Sequence, residues 1–181
     1  MHAVSLIITV VTVAGFVIAV LYMRVMDTPA RRRYVANHLQ QLGVNYLDEP
    51  SKESLDRLFS SAAHPGDRFR SCYAITVVSR VALDALEKSD EKRRSDAASM
   101  VLVLSDRLAS EDPFVRHAAA EAFYRLGALI LRVQDDAKSA AQDALERTAR
   151  TFENESSGFL AASALEILTS AAEGGYSSSP G

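Results

Sequence analysis

Residues 3–23, AVSLIITVVTVAGFVIAVLYM, form an apolar run with no charged residue, no Pro and a single Gly. A helix of that length reaches about 30 Å at about 1.5 Å per residue, which matches the hydrocarbon core of a bilayer. The hydroxyls of Ser5, Thr9 and Thr12 can bond back to the helix itself, so they do not forbid insertion. The run therefore predicts a transmembrane anchor, with its flank, over residues 1–27, and a lipid bilayer as the first partner. A cleaved signal peptide needs positive charge before the apolar stretch and a small-residue cleavage site after it. Here only His2 and the amino terminus precede the run, and Arg24, Arg31, Arg32 and Arg33 follow it. Positive charge stays on the cytoplasmic side of a span. The expected protein is single-pass, with its N-terminus out and residues 24–181 in the cytoplasm or its organellar equivalent. Tyr22, Arg24 and the Arg triplet are the expected membrane-interface residues. Gly15 and Ala19, four apart on one helix face, are a candidate helix–helix contact of the small-residue type.

What remains without the anchor and the tail is the size of one ordinary domain, long enough to bury a core. Charges nearly cancel, at 20 basic and 23 acidic residues, which speaks against a nucleic-acid partner. Cys72 is the single cysteine, so no internal disulfide can form. Ala and Ser are abundant and β-branched runs are scarce beyond the anchor, which predicts an all-α fold.

Capping and breaking residues divide the rest. Thr28-Pro29 opens a linker helix that is expected to stop at Gly43, with Val35, Leu39 and Leu42 as its apolar stripe and residues 45–50 as a connection. Helices are expected over 51–63, 67–88, 96–109, 113–133, 137–152 and 159–172. The charged run 89–95 is expected to be a joint, and its Glu91–Arg94 stretch a solvated loop. Residues 153–158 are expected to be a loop, and Gly174-Gly175 to end the last helix before a disordered tail. The expected organisation is thus anchor 1–27, linker 28–50, helical domain 51–173 and tail 174–181.

The most informative stretch of the domain is Asp112–Gly127, which reads D-P-x-V-R-x-x-A-A-x-A-F-x-x-L-G. Asp112 suits a helix cap and Pro113 a first turn. Val115, Ala119, Ala122, Phe123 and Leu126 fall on one face, and the alanines keep that face thin for close stacking. A second copy lies 45 residues on, with Ser157, Phe159, Leu160, Ala164, Ile167, Leu168 and Ala171 under Asp112, Phe114, Val115, Ala119, Ala122, Phe123 and Leu126. A weaker upstream copy places Phe69-Arg70 under Val115-Arg116, but then Thr76 and Arg80 occupy positions that ought to be apolar. The segment Asp112–Gly127, with Asp112, Pro113, Val115, Arg116, Ala119, Ala122, Phe123 and Leu126, resembles a HEAT repeat of the short bacterial type. The resemblance implies an array of helical hairpins with a period near 45 residues, in the HEAT or armadillo manner. It also implies that the second helix of each pair, at 67–88, 113–133 and 159–172, lines a binding face. The alternative fold is an irregular helical bundle.

No motif for catalysis stands out. There is no Gly-rich phosphate loop and no G-x-S-x-G. His2, His38, His64 and His117 do not fall at metal-ligand spacing with one another or with Cys72. His117 reads as a solvated surface residue, Cys72 as a small buried hydrophobe, and Asp135-Asp136 as a helix cap. The expected protein is not an enzyme, takes no cofactor, no metal and no small-molecule substrate, and acts as a scaffold that docks a protein partner at the membrane surface. The alternative is a non-catalytic accessory subunit built permanently into a multi-subunit membrane complex.

Overall fold

A computed structural model describes residues 28–88 and 91–176. The anchor run, with Gly15, Ala19, Tyr22 and Arg24, lies outside the described residues, as does the tail from residue 177. Among the described residues every regular element is helical, and no helix is long and apolar enough to cross a membrane. The elements are α1 (Pro29–Asp48), α2 (Lys52–Ala62), α3 (Arg68–Glu87), α4 (Glu91–Leu108), α5 (Pro113–Leu126), a 3-10 segment (Gly127–Arg132), α6 (Asp135–Thr151) and α7 (Ser156–Tyr176).

The chain forms two compact units, Met1–His38 and Leu39–Gly181. In the first, the Thr28 hydroxyl accepts from the Arg31 amide at 3.2 Å, and Pro29 fits the first turn where no amide is required. The rings of Tyr34 and His38 stack with centroids 6.3 Å apart. Arg32 and Arg33 are exposed and Arg31 is half-buried.

In the second unit, α2–α3, α4–α5 and α6–α7 are hairpins, each packed helix against helix. Across hairpins, α4 packs on both α2 and α6, while α5 packs on both α3 and α7. The odd and even helices thus make two layers, and the core lies between them. Its largest sealed side chains are Leu58, Ile75, Leu86, Met100, Leu104, Leu108, Phe123, Leu126, Ile130 and Leu145, together with Leu39 and Tyr46 of α1. In the first two hairpins an aspartate at the end of the turn caps the second helix. Asp67 accepts from the Arg70 amide at 3.0 Å, and Asp112 from the Phe114 amide at 2.9 Å.

Four boundaries differ from the sequence expectation, each for a local reason. The first helix does not stop at Gly43 but runs on to Asp48, with Leu39, Leu42, Gly43 and Tyr46 buried. Gly43 serves close approach: a Cβ there would stand 2.7 Å from Cγ1 of Val77. The stretch Glu91–Arg94 is not a loop but the first turn of α4. Its charges are used: Arg93 reaches Asp84 at 3.3 Å and donates to the Leu47 carbonyl at 3.4 Å. The last helix starts at Ser156, inside the expected loop, and continues through Gly174-Gly175 to Tyr176. Gly158 admits the tight entry to that helix, since a Cβ there would fall 2.0 Å from the Phe152 carbonyl oxygen. The helix expected over 113–133 ends at Leu126 instead: Gly127 takes φ 50°, and the apolar run after it is a 3-10 segment packed on α3 and α7.

Candidate docking face and hairpin-turn edge

The caps set the register of the three second helices. Asp67 and Asp112 are both N-caps and lie 45 residues apart, and Ser157 follows 45 residues later, one residue into the first turn of α7. Burial recurs at that interval: Ser71, Arg116 and Ala161 are buried, then Ala74, Ala119 and Ala164, then Val78, Phe123 and Leu168. The 46-residue alignment of the first copy is thereby corrected to 45. With that shift Thr76 lies level with Glu121 and Arg80 with Arg125, away from the core; Thr76, Arg80 and Arg125 are exposed and Glu121 is half-buried. The stripe residues Val115, Ala119, Ala122, Phe123 and Leu126 are all buried.

The same register brings a second series to the surface. Phe69, Phe114 and Phe159 stand 45 residues apart, one near the start of each second helix. Phe159 is 70% exposed and Phe114 59%, and Phe69 is half-buried with its ring stacked on Tyr73 at 5.9 Å. The Arg68 guanidinium sits 4.5 Å from the Phe114 ring centroid, a cation–π contact that carries one hairpin's turn onto the next. Tyr124 is exposed further along α5. Large exposed aromatics on a framework of small buried residues are what a recognition surface offers.

Two arginines lock the turn edge. Arg68 Nε donates to Asp112 Oδ2 at 2.6 Å, joining α3 to the cap of α5. Burial favours the neutral Asp112 carboxyl, but the Arg68 hydrogen bond, the Phe114 and Val115 amides and the Arg68 charge together outweigh it and hold the carboxyl below its ordinary range. Arg116 is 4% exposed and fully engaged. It donates to the Ser110 carbonyl at 2.7 Å, to Glu155 at 2.6 Å and to Ser157 at 3.3 Å, with its guanidinium 3.6 Å from the Phe152 ring centroid. The sequence marks Arg116 as part of a repeated pattern, but Phe152, Glu155 and Ser157 lie some forty residues away and could not be read from spacing.

His117 is not a freely solvated residue: it is half-buried, and its Nδ1 lies 3.0 Å from Ser156 Oγ. Cys72 is half-buried rather than sealed in the core. Burial chiefly, and then the Asp112 charge, push its thiol pKa up despite the nearby Arg68, so the thiolate is disfavoured. Asp135 and Asp136 lie in the first turn of α6, and the cap position is Gln134. Asp136 Oδ1 does accept from an amide of that turn, that of Ala137, at 2.8 Å. Among the described residues no three His, Cys, Asp or Glu side chains gather as a metal site.

A cavity of about 500 Å³ opens where the α2–α3 and α4–α5 turns meet, lined by His64, Arg68, Ser71, Arg107, Ser110 and Asp112 among others. Sequence reasoning missed it because its walls come from two turns far apart in the chain. No family model, no curated protein and no solved structure matches the chain.

Proposed function

We propose that this protein is a membrane-anchored scaffold whose HEAT-like helical hairpins dock a protein partner through the exposed side chains of α3, α5 and α7. The observation that carries the reading is the 45-residue recurrence in which buried small or apolar residues alternate with a phenylalanine near the start of each second helix, exposed at Phe114 and Phe159 and half-buried at Phe69. The two-layer packing of successive hairpins is the order a repeat array requires, since each hairpin then buries its apolar face against its neighbours. A rigid face carrying Phe114 and Phe159 orders few side chains on binding and so loses little entropy. The apolar run at residues 3–23 supplies location, and confinement to a bilayer raises the effective concentration toward a membrane-bound partner without adding contacts.

The test is co-purification from detergent-solubilised membranes. The full-length protein should bring down a stoichiometric protein partner, and the double variant Phe114→Ser, Phe159→Ser should lose it while keeping expression and helical content. Retention of the partner by the double variant would contradict docking through this face.

A further inference from the structure

The cavity at the α2–α3 and α4–α5 turns is lined by both donors and acceptors. Its one carboxylate and both oxygens of Ser110 are occupied. Asp112 Oδ1 takes the Phe114 amide at 2.9 Å and Oδ2 takes Arg68 Nε at 2.6 Å. The Ser110 carbonyl takes Arg116 at 2.7 Å and the Ser110 hydroxyl takes the Asp112 amide at 3.3 Å. The His64 carbonyl takes the Ser71 hydroxyl at 3.0 Å, which fixes that wall of the cavity. Two nitrogens are left over: His64 Nδ1 and Arg107 Nε are buried without a hydrogen-bond partner. They come from different elements, the turn after α2 and the last turn of α4, yet both side chains line this one space.

An unmade hydrogen bond at a desolvated polar group is costly, so each such atom calls for an explanation. Arg107 Nε can only donate, and His64 Nδ1 donates in the protonated ring and in one neutral tautomer. The one carboxylate that lines the space is already paired with Arg68, so no carboxylate of the cavity balances Arg107. An acceptor that carries negative charge suits both nitrogens.

We propose that this cavity binds a single oxyanion, a carboxylate or phosphate group, held between Arg107 and His64. Both side chains are half-buried and line the cavity, so small side-chain adjustments suffice to turn their N–H groups toward an anion there. Guanidinium bonds to an oxyanion are charge-assisted and stronger than bonds to water, so the anion displaces solvent there. This site is separate from the exposed aromatic row and does not depend on the docking reading.

The test is a titration of the full-length protein in uncharged detergent with inorganic phosphate and, separately, with acetate, at constant ionic strength. Nuclear magnetic resonance reads the Arg107 Nε–H and the His64 ring. The expected result is that at least one of the two anions moves both signals with one shared midpoint, on the order of 1 mM. In Arg107→Gln the His64 midpoint should rise about tenfold or more. A response to phosphate alone or to acetate alone supports the site and identifies the oxyanion it takes. No saturable response to either anion would overturn the proposal, as would an unchanged His64 midpoint in a folded Arg107→Gln. Should that variant fail to fold, the shared or unshared midpoint in the unmodified protein decides.

Discussion

The Arg116 guanidinium lies 3.6 Å from the Phe152 ring centroid and 2.6 Å from the Glu155 carboxylate, so one side chain of α5 holds the turn of the next hairpin. Arg116 is almost fully buried, whereas the Glu155 side chain is 45% exposed. The two partners are therefore unequal. Arg116→Ala removes the ion pair, the ring contact and the bonds to Ser110 and Ser157, and should destabilise the protein by about 2–4 kcal/mol. Glu155→Gln leaves the ring and the Ser110 carbonyl in place and should cost about 1 kcal/mol or less, because water screens the half-exposed carboxylate. Denaturant unfolding of both variants checks this. Equal losses would mean that the ion pair alone joins the hairpins.

Gly43 of α1 lies close against Val77 of α3. A Cβ at residue 43 would stand 2.7 Å from Val77 Cγ1, and a β-branched side chain cannot swing its methyl away freely. Alanine in a helix interior normally stabilises by about 1 kcal/mol over glycine. Here Gly43→Ala should instead lower stability, by about 1 kcal/mol. In a Val77→Ala background the same substitution should become neutral or stabilising. A double-mutant cycle by thermal unfolding reads the coupling, and additive effects would place the close approach elsewhere.

How much of this was legible beforehand depends on the range of the interaction. The all-α fold, the cap at Asp112 and the stripe of α5 are matters of spacing along one helix, and the residues display them. Gly43 looked like a stop signal because a terminating glycine and a packing glycine are the same letter. Only the position of Val77 distinguishes them. Glu91–Arg94 looked like a solvated loop because Asp84 and Leu47, which engage Arg93, are distant in sequence or silent in pattern. The one-residue error in the first repeat came from matching Phe69-Arg70 to Val115-Arg116 by letter, where the caps align Asp67 with Asp112. The cavity was invisible for the same reason as the Arg116 clamp: its residues meet only after the hairpins have stacked.

Acid should act on the Arg68–Asp112 pair. The Asp112 carboxyl titrates below its ordinary value in the folded state, so the unfolded chain takes up its proton first as pH falls. The pair thus contributes stability fully above the unfolded carboxyl pKa, about 3.9, and that contribution fades as pH drops through the lower folded value. Asp112→Asn keeps an amide acceptor for the cap but removes the charge. The variant should be less stable than the parent at neutral pH, and the difference should shrink below about pH 4. Unfolding curves across that range check the sign. A difference that stays constant with pH would show that Arg68 does not favour the ionised form.

The central claim is that a partner docks on the second helices and not on the first, and site-specific photo-cross-linking tests it most directly. A photo-reactive residue at Phe114 or Phe159 faces solvent from α5 or α7, while one at Leu102 or Arg150 faces solvent from α4 or α6. In intact cells the first two positions should give the same single cross-linked partner, and the second two should give none. Partner adducts of equal yield from Leu102 or Arg150, or none from Phe114 and Phe159, would contradict the account.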